Sequence, residues 1–219
     1  MSSIETGVSL RISEIFYSLQ GETSRVGLPT VFVRLTGCPL RCQYCDTAYA
    51  FTGGQSMPLQ AITDEVGRYP TRYVTVTGGE PLAQKNCLVL LRVLCDAGYR
   101  VSLETSGALD ISGVDKRVMK VMDIKTPASG EVEKNLWRNL DWLSPDDEIK
   151  FVLCDKADYL WACSELAERK LADKCEVLFS PSQGQLSPTD LADWILEDQL
   201  PVRMQLQLHK VLWGNVAGK

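Results

Sequence analysis

The chain has 219 residues, 45% hydrophobic and 23% charged, a balance suited to one globular domain with a full core. A formal net charge of -5 leaves no global basic field to hold nucleic acid. No apolar run approaches the ~20 residues needed to cross a bilayer, and the polar residues 1–7 contain no secretory core, so a cytoplasmic, reducing setting is expected.

Residues 10–17 and 30–36 have strand composition, and the connection 18–29 is punctuated by Gly21, Gly27 and Pro29. A helix is predicted over 58–68 with proline near its start, then a strand over 73–77. A helix over 82–97, closed by Gly98, leads to strands at 100–103 and 118–124 and a short helix at 133–140. A strand at 148–153, a helix at 158–170 and a strand at 176–179 follow. Ser187 caps a helix running to Asp198, and a strand at 202–208 ends the series. This alternation predicts a parallel α/β sheet, and six or more strands predict an open barrel or curled sheet.

Parallel sheets gather their sites at the carboxyl ends of the strands. The polar clusters of this chain fall there repeatedly. A cysteine loop follows 31–36, Gly78-Gly79-Glu80 follows 73–77, and Glu104-Thr105-Ser106-Gly107 follows 100–103. Asp123 and Lys125 end 118–124, Ser180-Pro181-Ser182-Gln183 follows 176–179, and His209 and Lys210 follow the last expected strand.

Cys38, Cys42 and Cys45 are spaced C-x3-C-x2-C. A structural zinc or an electron-carrying cluster usually takes four protein ligands. Here no second CxxC or HxxxH supplies a fourth, and the one histidine, His209, lies far away. Three thiolates therefore predict a [4Fe–4S] cluster with one iron open to a small molecule. The remaining cysteines, Cys87, Cys95, Cys154, Cys163 and Cys175, read as small core residues. In Gly78-Gly79-Glu80-Pro81, the glycines permit close backbone approach of a ligand and Glu80 offers an anion to an ammonium group.

These motifs, in this order, resemble the radical S-adenosylmethionine (SAM) superfamily. Ser18-Leu19-Gln20-Gly21-Glu22, the run from Phe32 to Cys38, Cys45-Asp46-Thr47 with Tyr49-Ala50, Thr77-Gly78-Gly79-Glu80-Pro81 and Glu104-Thr105-Ser106-Gly107 are similar to the 7-carboxy-7-deazaguanine synthases within it. The match is dense over 14–107 and looser through 123–127 and 205–213. The resemblance implies an incomplete, trimmed β/α barrel spanning 1–219 as a single domain: an N-terminal strand extension (1–29), the partial barrel (30–208) and a tail (209–219). It implies a lyase of the queuosine and deazapurine route that converts 6-carboxy-5,6,7,8-tetrahydropterin to 7-carboxy-7-deazaguanine with loss of ammonia. A 5′-deoxyadenosyl radical would take hydrogen from C6, with SAM used catalytically. Mg2+, an external electron donor such as a flavodoxin, and a homodimer are implied with it.

The resemblance also implies residue roles. Leu19, Gln20, Gly21, Arg34 and Thr77 would bind substrate, and Thr47 would ligate Mg2+. Tyr44, Asp46, Gly79, Glu80, Ser106, Asp123, Lys125, Ser180 and Gln183 would surround SAM. Many members carry Ser-Pro-Lys where this chain has Asp123-Ile124-Lys125. Arg34 is notable without any family: a guanidinium inside an apolar strand needs an anion, either a protein carboxylate or a substrate carboxylate. Asp46 and Thr47 also suit helix caps. No protein acid or base stands out, and His209 receives no catalytic role. Two rival readings share the cysteines. A glycyl-radical activating enzyme would not require the Gln20-Gly21-Glu22 run, Arg34 or Cys45-Asp46-Thr47, and a non-catalytic iron–sulfur redox or scaffold protein would not cleave SAM.

Overall fold

The computed structural model describes residues 7–214, 216 and 218. Strand β1 (Ser9–Leu19) pairs antiparallel with β2 (Pro29–Leu35) and, on its other edge, with the short β3 (Gln55–Pro58). Helix α1 (Leu59–Val66) leads to β4 (Tyr73–Gly78), α2 (Cys87–Asp96) to β5 (Arg100–Thr105), and β6 (Met119–Ile124) follows. Then come β7 (Glu148–Leu153), α3 (Lys156–Glu168), β8 (Glu176–Pro181), α4 (Pro188–Glu197), the two-residue β9 (Arg203–Met204) and α5 (Leu208–Trp213). The sheet order is β3-β1-β2-β4-β5-β6-β7-β8-β9, with every pair from β2 to β9 parallel. The end strands β3 and β9 do not pair with each other, so the curled sheet stays open. This is the predicted α/β fold. Among the described residues, no helix is long and apolar enough to cross a membrane.

Alternate strand positions face opposite sides of a sheet. Here the two sides differ in chemistry. Val31, Val33 and Leu35 of β2, Val74 and Val76 of β4, Val101 and Leu103 of β5, and Ile149, Phe151 and Leu153 of β7 join the apolar core. The helices cover that side, with Leu59, Ile62 and Val66 from α1 and Leu90, Leu91 and Leu94 from α2. The intervening positions are Arg34, Thr75, Thr77, Ser102, Glu104, Glu148 and Lys150, and they turn to the concave side. Burying so many polar groups is tolerated because most of them find hydrogen-bond or ionic partners. Gln20 Nε2 donates to Thr75 Oγ1 at 3.1 Å, and Thr75 and Ser102 share a hydroxyl contact at 2.9 Å.

Several expectations change. The short strand β3 gives no alternating pattern in Gln55-Ser56-Met57-Pro58, and it exists because β1 offers it an edge. Helix α2 starts at Cys87 rather than at residue 82. Gln84 takes extended backbone, and its side chain ties to the Arg11 backbone and the Thr36 carbonyl. The helix expected at 133–140 is a pair of 3-10 segments, Val132–Lys134 and Trp137–Trp142. Between them Asn135 pairs its amide with the backbone of Lys125. The strand expected at 202–208 shrinks to β9. The chain then leaves the sheet, Leu208 N donates to the Gly21 carbonyl at 2.9 Å, and α5 begins. Ser187 does cap α4. Cys87, Cys154 and Cys175 are buried, and Cys95 and Cys163 are half-buried. Of the expected extension (1–29) and tail (209–219), residues 1–6, 215, 217 and 219 lie outside the described residues.

Candidate active site

A cavity of about 410 Å³ opens at the carboxyl ends of the parallel strands. That size suits a small-molecule site. Cys38, Cys42 and Cys45 line it, all free and half-buried. Their loop is fastened from several sides. Gly37 N donates to the Ala50 carbonyl, Glu80 N to the Gly37 carbonyl and Gln43 N to the Ser129 carbonyl. Arg41 bonds the Cys38 and Leu40 carbonyls while its guanidinium lies 4.3 Å from the Phe51 ring centroid.

The donor set fits an iron–sulfur cluster. Among the described residues, no three His, Cys, Asp or Glu side chains gather closely enough to hold one metal ion. A cubane asks for a wider spread, because each thiolate binds a different iron. Burial pushes the Cys38 and Cys42 thiols up, a cost that metal coordination removes by replacing the proton. Gly79 supplies a cradle beside them: a Cβ there would stand 2.5 Å from the Gly37 carbonyl oxygen and 2.7 Å from Cys38 Cβ. Tyr44 also lines the cavity, and its buried hydroxyl has no partner among the described residues, as expected of a group that meets a ligand.

Beside the thiols lies a buried ionic network. Lys150 Nζ stands 2.6 Å from Glu22 Oε2 and 3.3 Å from Asp123 Oδ1, and Lys125 Nζ stands 2.8 Å from Asp123 Oδ2. Burial alone would raise both carboxyls and lower both ammoniums. The attraction prevails: Lys150 and Lys125 are raised, and Glu22 and Asp123 are lowered. Glu104 is the exception. Burial raises its carboxyl against the pull of Lys150, and the neighbouring Glu22 adds to the rise. It accepts from Thr77 Oγ1 at 2.8 Å and Gln20 Nε2 at 3.4 Å.

The cavity thus brings together Leu19, Gln20, Gly21, Arg34, Tyr44, Asp46, Thr47, Thr77, Gly79, Ser106, Asp123, Lys125 and Gln183. Two expected SAM residues stand elsewhere. Glu80 is fully buried behind the wall. Its carboxylate accepts from Leu82 N, Thr105 Oγ1 and both the backbone N and Oγ of Ser106, so it binds the β4 loop to the β5 loop. Ser180 is buried within β8 and does not line the cavity, whereas Ser182 does. Arg34 meets a protein carboxylate, Glu14, at 2.7 Å while also lining the cavity. Asp46 is paired with Lys210 at 2.6 Å and accepts from Thr47 Oγ1 at 2.8 Å. Burial would raise its carboxyl, but Lys210 and Thr47 hold it down to about 2.

Sequence reasoning placed Glu104 at the shared strand ends but gave no site role to Glu104, Glu22 or Lys150, all of which line the cavity. Their signal was a charge at an alternate position of an apolar strand, or beside the Gln20-Gly21 turn. It also missed that α5 forms one wall. Gln207 Nε2 donates to Glu22 Oε1 at 3.0 Å, and His209 and Lys210 line the cavity. Gly21 makes this docking possible, since a Cβ there would fall 2.2 Å from His209 Nδ1.

Comparison with known proteins places this geometry. Residues 32–124 match the Radical SAM superfamily model. The 7-carboxy-7-deazaguanine synthase of Chlorobaculum tepidum is 47% identical over 96% of this chain and 97% of its own length. That of Koribacter versatilis is 45% identical, covering 93% of this chain and 97% of its own length. The crystal structure of QueE from Escherichia coli has the same fold, with a TM-score of 0.76 at 24% identity, over 92% of this chain and 95% of that one. Identity of this level, sustained over nearly the whole of each sequence and centred on a three-cysteine cavity, means that the chain belongs to the 7-carboxy-7-deazaguanine synthase family of radical SAM enzymes.

Proposed function

We propose that this chain converts 6-carboxy-5,6,7,8-tetrahydropterin to 7-carboxy-7-deazaguanine with release of ammonia. The observation that carries the reading is the convergence of three thiols, a cationic Arg34 and a buried polar floor on one small cavity. Cys38, Cys42 and Cys45 hold a [4Fe–4S] cluster that, with bound SAM, supplies a hydrogen-abstracting carbon radical. Everything else falls to the protein.

The Gly78-Gly79 backbone lets SAM approach closely, and Glu80 keeps that backbone in place through the Ser106 segment. Tyr44, Asp46, Ser106, Asp123, Lys125 and Gln183 complete its surroundings. Arg34 takes the substrate carboxylate, a pairing that gains strength in a site shielded from water. Leu19, Gln20, Gly21 and Thr77 meet the edge of the pterin, with Glu104 behind Gln20 and Thr77. Thr47 Oγ1, which here donates to Asp46, would hold a Mg2+ ion, a hard cation that would favour the substrate's carboxylate oxygens. An external electron donor such as a flavodoxin serves as reductant, and the working unit is a cytoplasmic homodimer.

The test is an anaerobic incubation of iron-loaded protein with SAM, dithionite and the carboxytetrahydropterin, read by mass spectrometry. The expected result is 7-carboxy-7-deazaguanine and ammonia, with a faster rate when Mg2+ is added than when it is chelated. SAM cleavage that ignores the pterin would remove the substrate assignment. Equal rates with and without Mg2+ would remove only the metal.

A further inference from the structure

Arg34 does not enter the cavity as a free side chain. Strand β1 carries an irregularity between Ile12 and Glu14, so that Ile12 pairs with Leu35 and Glu14 pairs with Arg34. A regular register would set Ser13 against Arg34 and Glu14 against Val33, whose side chain belongs to the apolar core. The extra residue re-aims Glu14 to the concave side. There Glu14 Oε1 accepts from Arg34 Nε at 2.7 Å and from the Tyr49 hydroxyl at 2.8 Å. Tyr49 stands just after the cysteine loop, in the 3-10 segment Ala48–Phe51. The guanidinium carbon lies 5.7 Å from the Phe16 ring centroid and 5.8 Å from that of Tyr49.

This frame takes only the Nε edge. Among the described residues, neither terminal nitrogen of Arg34 makes a hydrogen bond. A guanidinium held at Nε and flanked by rings presents its two terminal nitrogens as a fixed fork, the geometry that matches a carboxylate two-pronged. We infer that Glu14, with Tyr49, is a positioning residue that orients Arg34 for the substrate's carboxylate. The inference rests on the proposed role of Arg34. It assigns the β1 irregularity a purpose that neither the cysteine motif nor the glycine motif explains.

Charge and positioning make opposite demands, which allows them to be separated. As a charge, Glu14 opposes an incoming carboxylate, so neutralising it would tighten binding. As a frame, it must accept from Nε, and glutamine can do that through its amide oxygen while alanine cannot. Steady-state kinetics with the carboxytetrahydropterin should show Glu14→Ala raising KM about 10-fold with little change in kcat, the pattern of lost uniform binding. Glu14→Gln should restore KM to within about 3-fold of the parent, and Tyr49→Phe, which keeps the ring, should raise KM less than Glu14→Ala does. In an Arg34→Lys background, adding Glu14→Ala should change nothing further. Equal KM values for Glu14→Ala and Glu14→Gln, or an undiminished Glu14→Ala effect in the Arg34→Lys background, would overturn the inference. If Arg34→Lys alone leaves KM unchanged, the substrate role of Arg34 falls instead. Should Glu14→Ala fail to fold, Tyr49→Phe alone decides: an unchanged KM overturns the frame.

Discussion

Cys42→Ala should abolish turnover while leaving the protein folded. Cys42 is half-buried on a loop at the cavity wall and lies outside the apolar core. Its loss removes a small side chain and no core packing, so the iron-free variant should melt within about 2–4 °C of the iron-free parent, the shift expected for ~1 kcal/mol in a domain of this size. The chemical consequence is of another order. With two thiolates the cluster loses its hold on one iron, and no other thiol lines the cavity to replace it among the described residues. The expected readings are loss of the visible iron–sulfur absorbance, no 5′-deoxyadenosine above background, and an unchanged circular dichroism spectrum. Substantial activity with a two-cysteine loop would mean that the cluster is held differently.

Lys150→Met should act through stability as much as through chemistry. Lys150 is 8% exposed and faces Glu22, Asp123 and Glu104 from the centre of β7. Methionine fills similar space, so packing changes little. What changes is that Glu22 and Glu104 lose their cation, while Asp123 keeps Lys125 at 2.8 Å. Removing one partner of such a network typically costs about 3–5 kcal/mol, which corresponds to a fall in Tm of about 6–20 °C. The pH dependence carries a sign. The folded pKa of Lys150 is raised, so its contribution is complete below the ordinary lysine value and fades only as pH rises through the folded one. Glu22 and Asp123 are lowered, so their contribution is present above ordinary carboxylate values and fades as pH falls through the folded ones. The parent network therefore holds across neutral pH. In the variant, burial without a cation favours protonated Glu22 and Glu104, so the Tm deficit should shrink on moving from about pH 8 to about pH 5. A deficit that is flat across that range would show that lost packing, rather than unpaired charge, is the cause.

The parallel sheet was legible because its outer face is a run of valine, leucine and isoleucine at alternate positions, interrupted by glycine and helix signals. The site was legible where residues cluster in sequence. Cys38, Cys42 and Cys45 lie within one loop, and Gly78 to Glu80 are consecutive. Glu22, Glu104 and Lys150 come from different segments and meet only because the sheet curls, so no local pattern joins them. Glu14 is a harder case. Strict alternation puts it on the apolar side, and only the irregular register moves it opposite Arg34. The perfect alternation of Met204-Gln205-Leu206-Gln207-Leu208 predicts a strand where the chain in fact turns into α5. Its actual course is set by contacts with Gly21, Glu22 and Asp46, which are distant in sequence. A glutamate after two glycines likewise invites a ligand role for Glu80. Thr105 and Ser106, one strand further on, supply the donors that turn it inward.

The measurement that bears most directly on the account uses substrate deuterated at C6 of the pterin. Anaerobic turnover with SAM and reductant should move deuterium to the 5′ carbon of recovered SAM and of any 5′-deoxyadenosine, and 7-carboxy-7-deazaguanine should accumulate alongside. Product formation with both adenosyl compounds free of deuterium would contradict hydrogen abstraction from the bound pterin, and with it the reading of the cavity.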